Sequence, residues 1–324
     1  MTVAIGLCSV AHPHAATYSE VLSGLDDVEL VGVTDDEAER GRAFADENGI
    51  RFRPREELLN RADGIVVCST NTTRNEWIRG AADAGVDVLS EKPLGTSAAE
   101  ARELTALCDN AGVALSVALP LRHSVPAHQA RERLDTVGEI TALSGTNRGR
   151  FPDGWFADPN RSGGGAVMDH TVHIVDLVHW LTGIWVGEVY AETATRFADV
   201  EVEDVNVLSM GLEDGTPFLL DGSWSMPDEW ESWGDATLEV TGTQGVLNID
   251  IFAQRFPVTR DTPPSGVSSV FHGTDPNGRM LERFVETVQG SDSASPGDDA
   301  ADALAVVEAA YESAVAGTSI SVEY

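Results

Sequence analysis

Two groups of residues in this 324-residue chain have the types and spacing that proton and hydride chemistry use. The first is Lys92 in Ser90-Glu91-Lys92-Pro93-Leu94-Gly95, the only lysine among 21 basic side chains. A buried amine can lose its proton near neutrality whereas a guanidinium stays charged, so a lone surviving lysine is a candidate for work that arginine cannot do. The second is Gly163-Gly164-Gly165-Ala166-Val167-Met168-Asp169-His170-Thr171-Val172-His173-Ile174-Val175-Asp176. On a helix Asp169 and His173 share one face, with Asp176 further along the same stripe. An acid beside an imidazole suits proton transfer, and the glycines admit the close approach of a ligand or of another backbone. His170, His173, His179 and the two aspartates also have metal-ligand chemistry, but the H-E-x-x-H spacing is absent and no metal is expected there.

A third signal is weaker. The first apolar run ends in Gly6-Leu7-Cys8-Ser9-Val10-Ala11, with Cys8 where a dinucleotide fingerprint has the glycine that lets backbone approach a pyrophosphate. Asp35 then closes the second apolar run, where an acidic side chain accepts hydrogen bonds from a ribose 2′-hydroxyl. Asp36 beside it would repel a 2′-phosphate, so NAD is expected ahead of NADP, with Arg40 and Arg42 the side chains able to reach a phosphate.

These groups need elements to hold them. Apolar runs at 3–7, 28–34, 64–69, 86–90 and 113–119 alternate with helical patterns at 15–25, 37–48, 75–84 and 98–110. Such alternation reads as βαβ units building a Rossmann-type, doubly wound parallel sheet over residues 1–119. From 120 the rhythm changes. A helix at 125–134, a strand at 140–147 and a helix at 165–181 precede period-two segments at 189–196, 205–212, 218–225, 237–241 and 246–251. This predicts a second α+β domain, residues 120–324, with a large, mostly antiparallel open sheet. The Pro/Gly-rich and acidic stretches 261–278 and 291–299 read as loops, and 300–316 as a last helix.

Acidic residues number 53 and the net charge is −32, spread along the chain. Concentrated salt screens that repulsion, which with the loss of lysine points to a salt-loving source, a halophilic archaeon. Nucleic acid and anionic membranes are excluded as partners by like charge. There is no apolar run long enough to span a bilayer and no export signal, so a cytoplasmic location is expected. Cys8, Cys68 and Cys108 form neither a C-x-x-C pair nor a disulfide framework.

Glu-Lys-Pro after a strand, combined with Gly-Gly-Gly-x-x-x-Asp-x-x-x-His on a later helix, resembles the Gfo/Idh/MocA oxidoreductases. The resemblance spans nearly the whole chain, including Trp155-Phe156-Ala157-Asp158-Pro159 and the ending around Tyr311. It implies a nicotinamide-binding first domain and a substrate-binding second domain whose open sheet supports a dimer or tetramer. Its implied cofactor contacts are Gly6, Ser9, Val10, Ala11, Asp35, Ser69, Thr70, Asn71, Glu91 and Lys92. Its implied catalytic set is Lys92 on the reacting hydroxyl, His173 as proton acceptor and Asp169 orienting substrate. Pro93 is expected to follow a cis peptide. The chain departs from the family at Cys8, at Thr70 (usually proline), at Arg74 (usually histidine) and at Pro120-Leu121.

Arg122 and Trp155 are candidates to line the substrate pocket or, as the more ordinary reading, to sit beside a helix start and in a core, and Trp224, Trp230 and Trp233 to stack on sugar rings or to make a sheet-face or subunit contact. The expected activity is NAD(P)-dependent oxidation of a CH–OH group in a sugar, polyol or related small molecule. Two alternatives use the same fold: a glycoside-cleaving enzyme that oxidises its sugar only transiently, and a nucleotide-sensing regulatory protein without turnover.

Overall fold

The computed structural model describes residues 2–230, 232–260, 266–271, 273–293 and 295–324. Its strands, in chain order, are β1 Val3–Cys8, β2 Val28–Thr34, β3 Gly64–Val67, β4 Asp87–Ser90, β5 Leu115–Val117, β6 Ile140–Thr146 and β7 Val186–Ala194. They continue with β8 Val205–Leu212, β9 Pro217–Asp221, β10 Thr237–Gly242, β11 Val246–Asp250, β12 Arg255–Arg260, β13 Gly266–Phe271 and β14 Ile320–Ser321. The α-helices are α1 His14–Ser23, α2 Ala38–Asn48, α3 Arg55–Leu59, α4 Arg74–Ala84, α5 Ala98–Ala111, α6 Val125–Arg131, α7 Pro159–Ser162, α8 Ala166–Thr182, α9 Pro276–Val288 and α10 Gly297–Ala316. None of the described helices is long and apolar enough to cross a membrane.

Contacts divide the chain into two compact units. The first comprises Met1–Leu119, Asn160–Gly163 and Asn277–Leu304, the second Pro120–Pro159, Gly164–Pro276 and Ala305–Tyr324. The single boundary expected at 119/120 is therefore too simple. The reason is α9, whose Met280, Leu281, Phe284 and Val285 enter the core formed by Ile5, Leu7, Val66, Leu89, Tyr18 and Leu22 of the first unit.

In the first unit the wholly apolar β3 is buried along its length, as strands of a sheet covered on both faces are. The five strands run parallel in the order β2-β1-β3-β4-β5. Strand order reverses between β1 and β3, and ligands of open α/β sheets bind outside the carboxyl ends at such a switch point. The exposed edge of β5 is closed by the backbone of Ser295, whose carbonyl accepts the Val117 N–H at 2.9 Å.

In the second unit seven strands are ordered β11-β10-β6-β9-β8-β7-β14, antiparallel except for β6 beside β9. This is the mostly antiparallel sheet expected. Alternation is clean on β8, where Asn206, Leu208, Met210 and Leu212 are buried. Helix α8 lies over the buried face, with Ile174 against Gly145 of β6. The loop expected over 261–278 is corrected: β13 pairs with β12, and α9 starts at Pro276. Proline, glycine and serine there conceal a strand edge and a helix start, both of which tolerate them. Residues 261–265 lie outside the described residues. The second expected loop, 291–299, is shortened because α10 begins at Gly297.

Candidate active site

In the first unit the turns after β1, β2, β3 and β4 all leave the carboxyl edge of the sheet. Cys8 ends β1 fully buried, where burial pushes its thiol pKa up, so it is an inert packing residue. The left-handed step that a glycine would take falls instead on Ser9, with φ 62°. Two bonds hold it there: the Ser9 N–H donates to the Thr34 carbonyl at 2.9 Å, and the Val10 N–H donates to Asp35 Oδ2 at 2.7 Å.

Asp35 is more heavily engaged than its sequence position suggests. Its Oδ1 accepts the Glu37 N–H at 2.6 Å and Arg40 Nη2 at 2.7 Å, and its Oδ2 accepts Arg40 Nε at 3.1 Å besides Val10. A fully buried carboxylate needs such partners. A ribose hydroxyl therefore reaches Asp35 only in exchange for Arg40. Asp36 is held in turn by the indole of Trp77 at 3.2 Å.

The turn after β3 places Ser69, Thr70 and Asn71 in buried positions. Asn71 Nδ2 donates to the Ser162 carbonyl at 2.8 Å, while Asn71 Oδ1 and Ser9 Oγ are buried atoms without a hydrogen-bond partner. Buried orphan polar atoms call for a ligand, and these two follow the strands that flank the switch point. The start of α1 has no acidic residue in its first turn, which suits a phosphate. These residues fit a dinucleotide.

Arg74, seen in the sequence only as a departure, is fully buried and ties this turn to the next. It donates to the Ser69 carbonyl at 3.0 Å and to the carbonyl of Pro93. Burial lowers its pKa to about 10, so it stays charged at neutrality. Lys92 is buried, its peptide to Pro93 is cis as expected, and its N–H donates to Glu91 Oε2 at 3.1 Å. The other oxygen of Glu91 accepts the Tyr18 hydroxyl at 2.6 Å and lies 2.8 Å from His14 Nδ1. Nothing local in the sequence joins Arg74, Tyr18 or His14 to the lysine turn.

In the second unit α8 carries Asp169, buried, and His173 one turn further, half-buried. Asp169 Oδ2 accepts the indole N–H of Trp224 at 3.1 Å and lies 3.2 Å from His170 Nε2. Trp224 is thus a buried partner that orients Asp169, not a ring platform. Trp230 and Trp233 are exposed, and Trp233 packs edge-on to His170. His170 Nδ1 is 2.9 Å from the Gly222 carbonyl, and His179 Nε2 accepts the Val186 N–H at 3.2 Å, so both rings are committed to the fold.

Two candidate pocket residues have other partners here. Trp155 stacks on Phe156 at 4.0 Å inside the cluster with Trp224, Ala166 and Val202, and serves as core. Arg122 is buried and grips Asp176 with both Nε and Nη2. Removing one partner strands a buried charge, so Asp176→Ala should cost about 3–5 kcal/mol of stability, whereas Arg122→Met with Asp176→Leu should restore most of it. Denaturant midpoints measure both, and a double variant as unstable as the single one would contradict the pairing.

The glycines of 163–165 also change meaning. A Cβ on Gly165 would stand 2.0 Å from the Glu203 carbonyl oxygen, and one on Gly164 would stand 2.1 Å from the Tyr311 hydroxyl. Glu203 caps α8: its Oε1 accepts the N–H groups of Gly165 and Val167, both at 3.0 Å, and the Tyr311 hydroxyl at 2.8 Å. Burial nonetheless raises the Glu203 pKa, the hydrogen bonds opposing it. The glycines admit another part of the chain, the second of the two uses the sequence allowed. Gly165→Ala should therefore cost about 2–4 kcal/mol through overpacking and loss of the cap. A melting temperature equal to that of the wild type would show the contact to be unimportant.

A parallel sheet with orphan polar atoms at its switch point and a buried lysine at its carboxyl edge defines the first unit as a dinucleotide-binding domain of oxidoreductase type. Residues 2–119 match the model described as the oxidoreductase family, NAD-binding Rossmann fold, and 127–248 match the GFO/IDH/MocA C-terminal domain. The chain belongs to the Gfo/Idh/MocA family of oxidoreductases. It is similar to "D-xylose 1-dehydrogenase (NADP(+)) 2" of Haloferax volcanii, 29% identical over 89% of this chain and 90% of the relative. It is also similar to myo-inositol 2-dehydrogenase of Thermotoga maritima, 25% identical over 98% of this chain and 97% of the relative. Among solved structures, GenD2 from gentamicin A biosynthesis, in complex with NAD, superposes with a TM-score of 0.88 at 25% identity, covering 100% of this chain and 97% of the other.

Proposed function

We propose that this protein is an NAD-dependent dehydrogenase that oxidises a secondary or hemiacetal hydroxyl of a sugar or polyol in the salt-rich cytoplasm of a halophilic archaeon. The observation that carries the reading is the one lysine of the chain, buried at the carboxyl edge of the parallel sheet. In this reading the first unit holds the dinucleotide through Gly6, Ser9, Val10, Ala11, Ser69, Thr70, Asn71 and Glu91, with Asp35 accepting the ribose hydroxyls in place of Arg40. Two adjacent carboxylates at the end of β2, Asp35 bound to Arg40 and Asp36 to the Trp77 indole, support NAD over NADP.

Bound NAD supplies acceptance of a hydride from the carbinol carbon. His173 takes the hydroxyl proton, Lys92 donates to the oxygen as it gains carbonyl character, and Asp169, fixed by Trp224, orients a neighbouring hydroxyl. A substrate with several hydroxyls is supported by that carboxylate and by relatives named for xylose and myo-inositol. Exposed Tyr190, Val207, Leu219 and Val246 share one face of the seven-stranded sheet by register, which supports a homo-oligomer. The test is a screen of sugars and polyols with NAD and NADP in molar KCl. Stoichiometric NADH from at least one substrate is expected, and NAD binding without turnover across the panel would refute the reading.

A further inference from the structure

We propose that His12, His14 and Glu91 form a binding site for a divalent transition metal of the zinc type. Their ligand atoms all lie within 4.8 Å of one another. Nδ1 of His12 is 3.6 Å and Nδ1 of His14 is 2.8 Å from the same oxygen, Glu91 Oε1. Around a tetrahedral ion with bonds near 2.0–2.1 Å, neighbouring ligand atoms stand about 3.3 Å apart, so small side-chain rotations suffice.

The chemistry of the three atoms agrees. His12 Nδ1 accepts the backbone N–H of His14 at 3.2 Å, so that nitrogen is unprotonated, and its lone pair turns to a metal in exchange for that bond. An unprotonated ring nitrogen and a carboxylate oxygen thus stand 3.6 Å apart. His14 completes the set by presenting Nδ1 to the metal in exchange for its 2.8 Å contact with Glu91 Oε1. Two imidazoles and one carboxylate favour zinc, cobalt or nickel over magnesium or calcium.

Positioning and access are also built in. His12 and Glu91 side chains are 4% and 0% exposed, whereas His14 is 40% exposed and offers the entry path. The Tyr18 hydroxyl, 2.6 Å from Glu91 Oε1, orients the carboxylate from behind. Pro13 fixes the backbone between the two histidines. Bound there, a metal would pin the start of α1 to the turn that carries Lys92. The inference does not rest on the proposed reaction, since binding is read without turnover.

The test uses the full chain, stripped with a chelator and titrated with Co²⁺ in molar KCl, which screens the acidic surface. One saturable equivalent with the visible absorption of cobalt bound to nitrogen, displaced by one equivalent of Zn²⁺, is expected. His14→Gln, at a position whose side chain is 40% exposed, should weaken binding by more than about 100-fold, and His12→Gln likewise. Absence of a saturable equivalent in the wild type, or its retention in both variants, would overturn the site.

Discussion

Lys92→Arg should lower turnover by roughly 100- to 1,000-fold while leaving fold and cofactor binding close to wild type. The expectation follows from what distinguishes the two cations. The lysine side chain is buried, in a turn held by Glu91 on one side and by the Arg74–Pro93 bond on the other. A guanidinium is wider, presents a planar fork instead of a single point donor, and never gives up its proton. If the site needed only a positive charge, arginine would serve, and Lys92→Met alone would fail. If it needs an amine aimed at one oxygen, both variants fail in kcat, and the KM for NAD moves little. Turnover of Lys92→Arg within a few fold of wild type, measured in molar KCl, would remove the lysine from the reaction.

The contrast between that turn and its supports shows what a sequence reveals. The βαβ rhythm, the reversal to period two after residue 120, and the shared face of Asp169 and His173 are written in local periodicity, which is why they were legible. What escaped depends on partners far away in the chain. Asp35 looks free until the Val10 N–H, 25 residues earlier, and Arg40 are seen to use its oxygens. Arg122 has no visible partner in the sequence, yet Asp176, 54 residues later, is in its grip. Gly164 and Gly165 look like a ligand cradle until Tyr311 and Glu203 occupy the space. Trp224 and Asp169 meet across 55 residues. In each case a buried polar or charged group had to be satisfied, and residue type alone does not say by whom. Helix α9 escaped for a related reason: its apolar stripe is local, but the core it completes is that of the first unit.

The second large effect is expected at His173. His173→Asn, which keeps a polar side chain of similar bulk but removes the base, should lower kcat for oxidation by roughly 100- to 10,000-fold. The sign with pH separates this role from a structural one. An imidazole that accepts the hydroxyl proton works only when neutral, so kcat/KM for oxidation rises with pH through its titration, and the reverse reaction falls over the same span. In His173→Asn that limb should vanish from both directions, leaving a flat, low profile. A residue that merely packs α8 would change stability and KM but preserve the shape of the profile. Asp169 offers the internal control: Asp169→Asn keeps the acceptor for the Trp224 indole, so it should raise KM for the sugar or polyol more than it lowers kcat, with the histidine limb intact. Should the limb survive in His173→Asn and disappear in Asp169→Asn, the carboxylate, and not the imidazole, is the base.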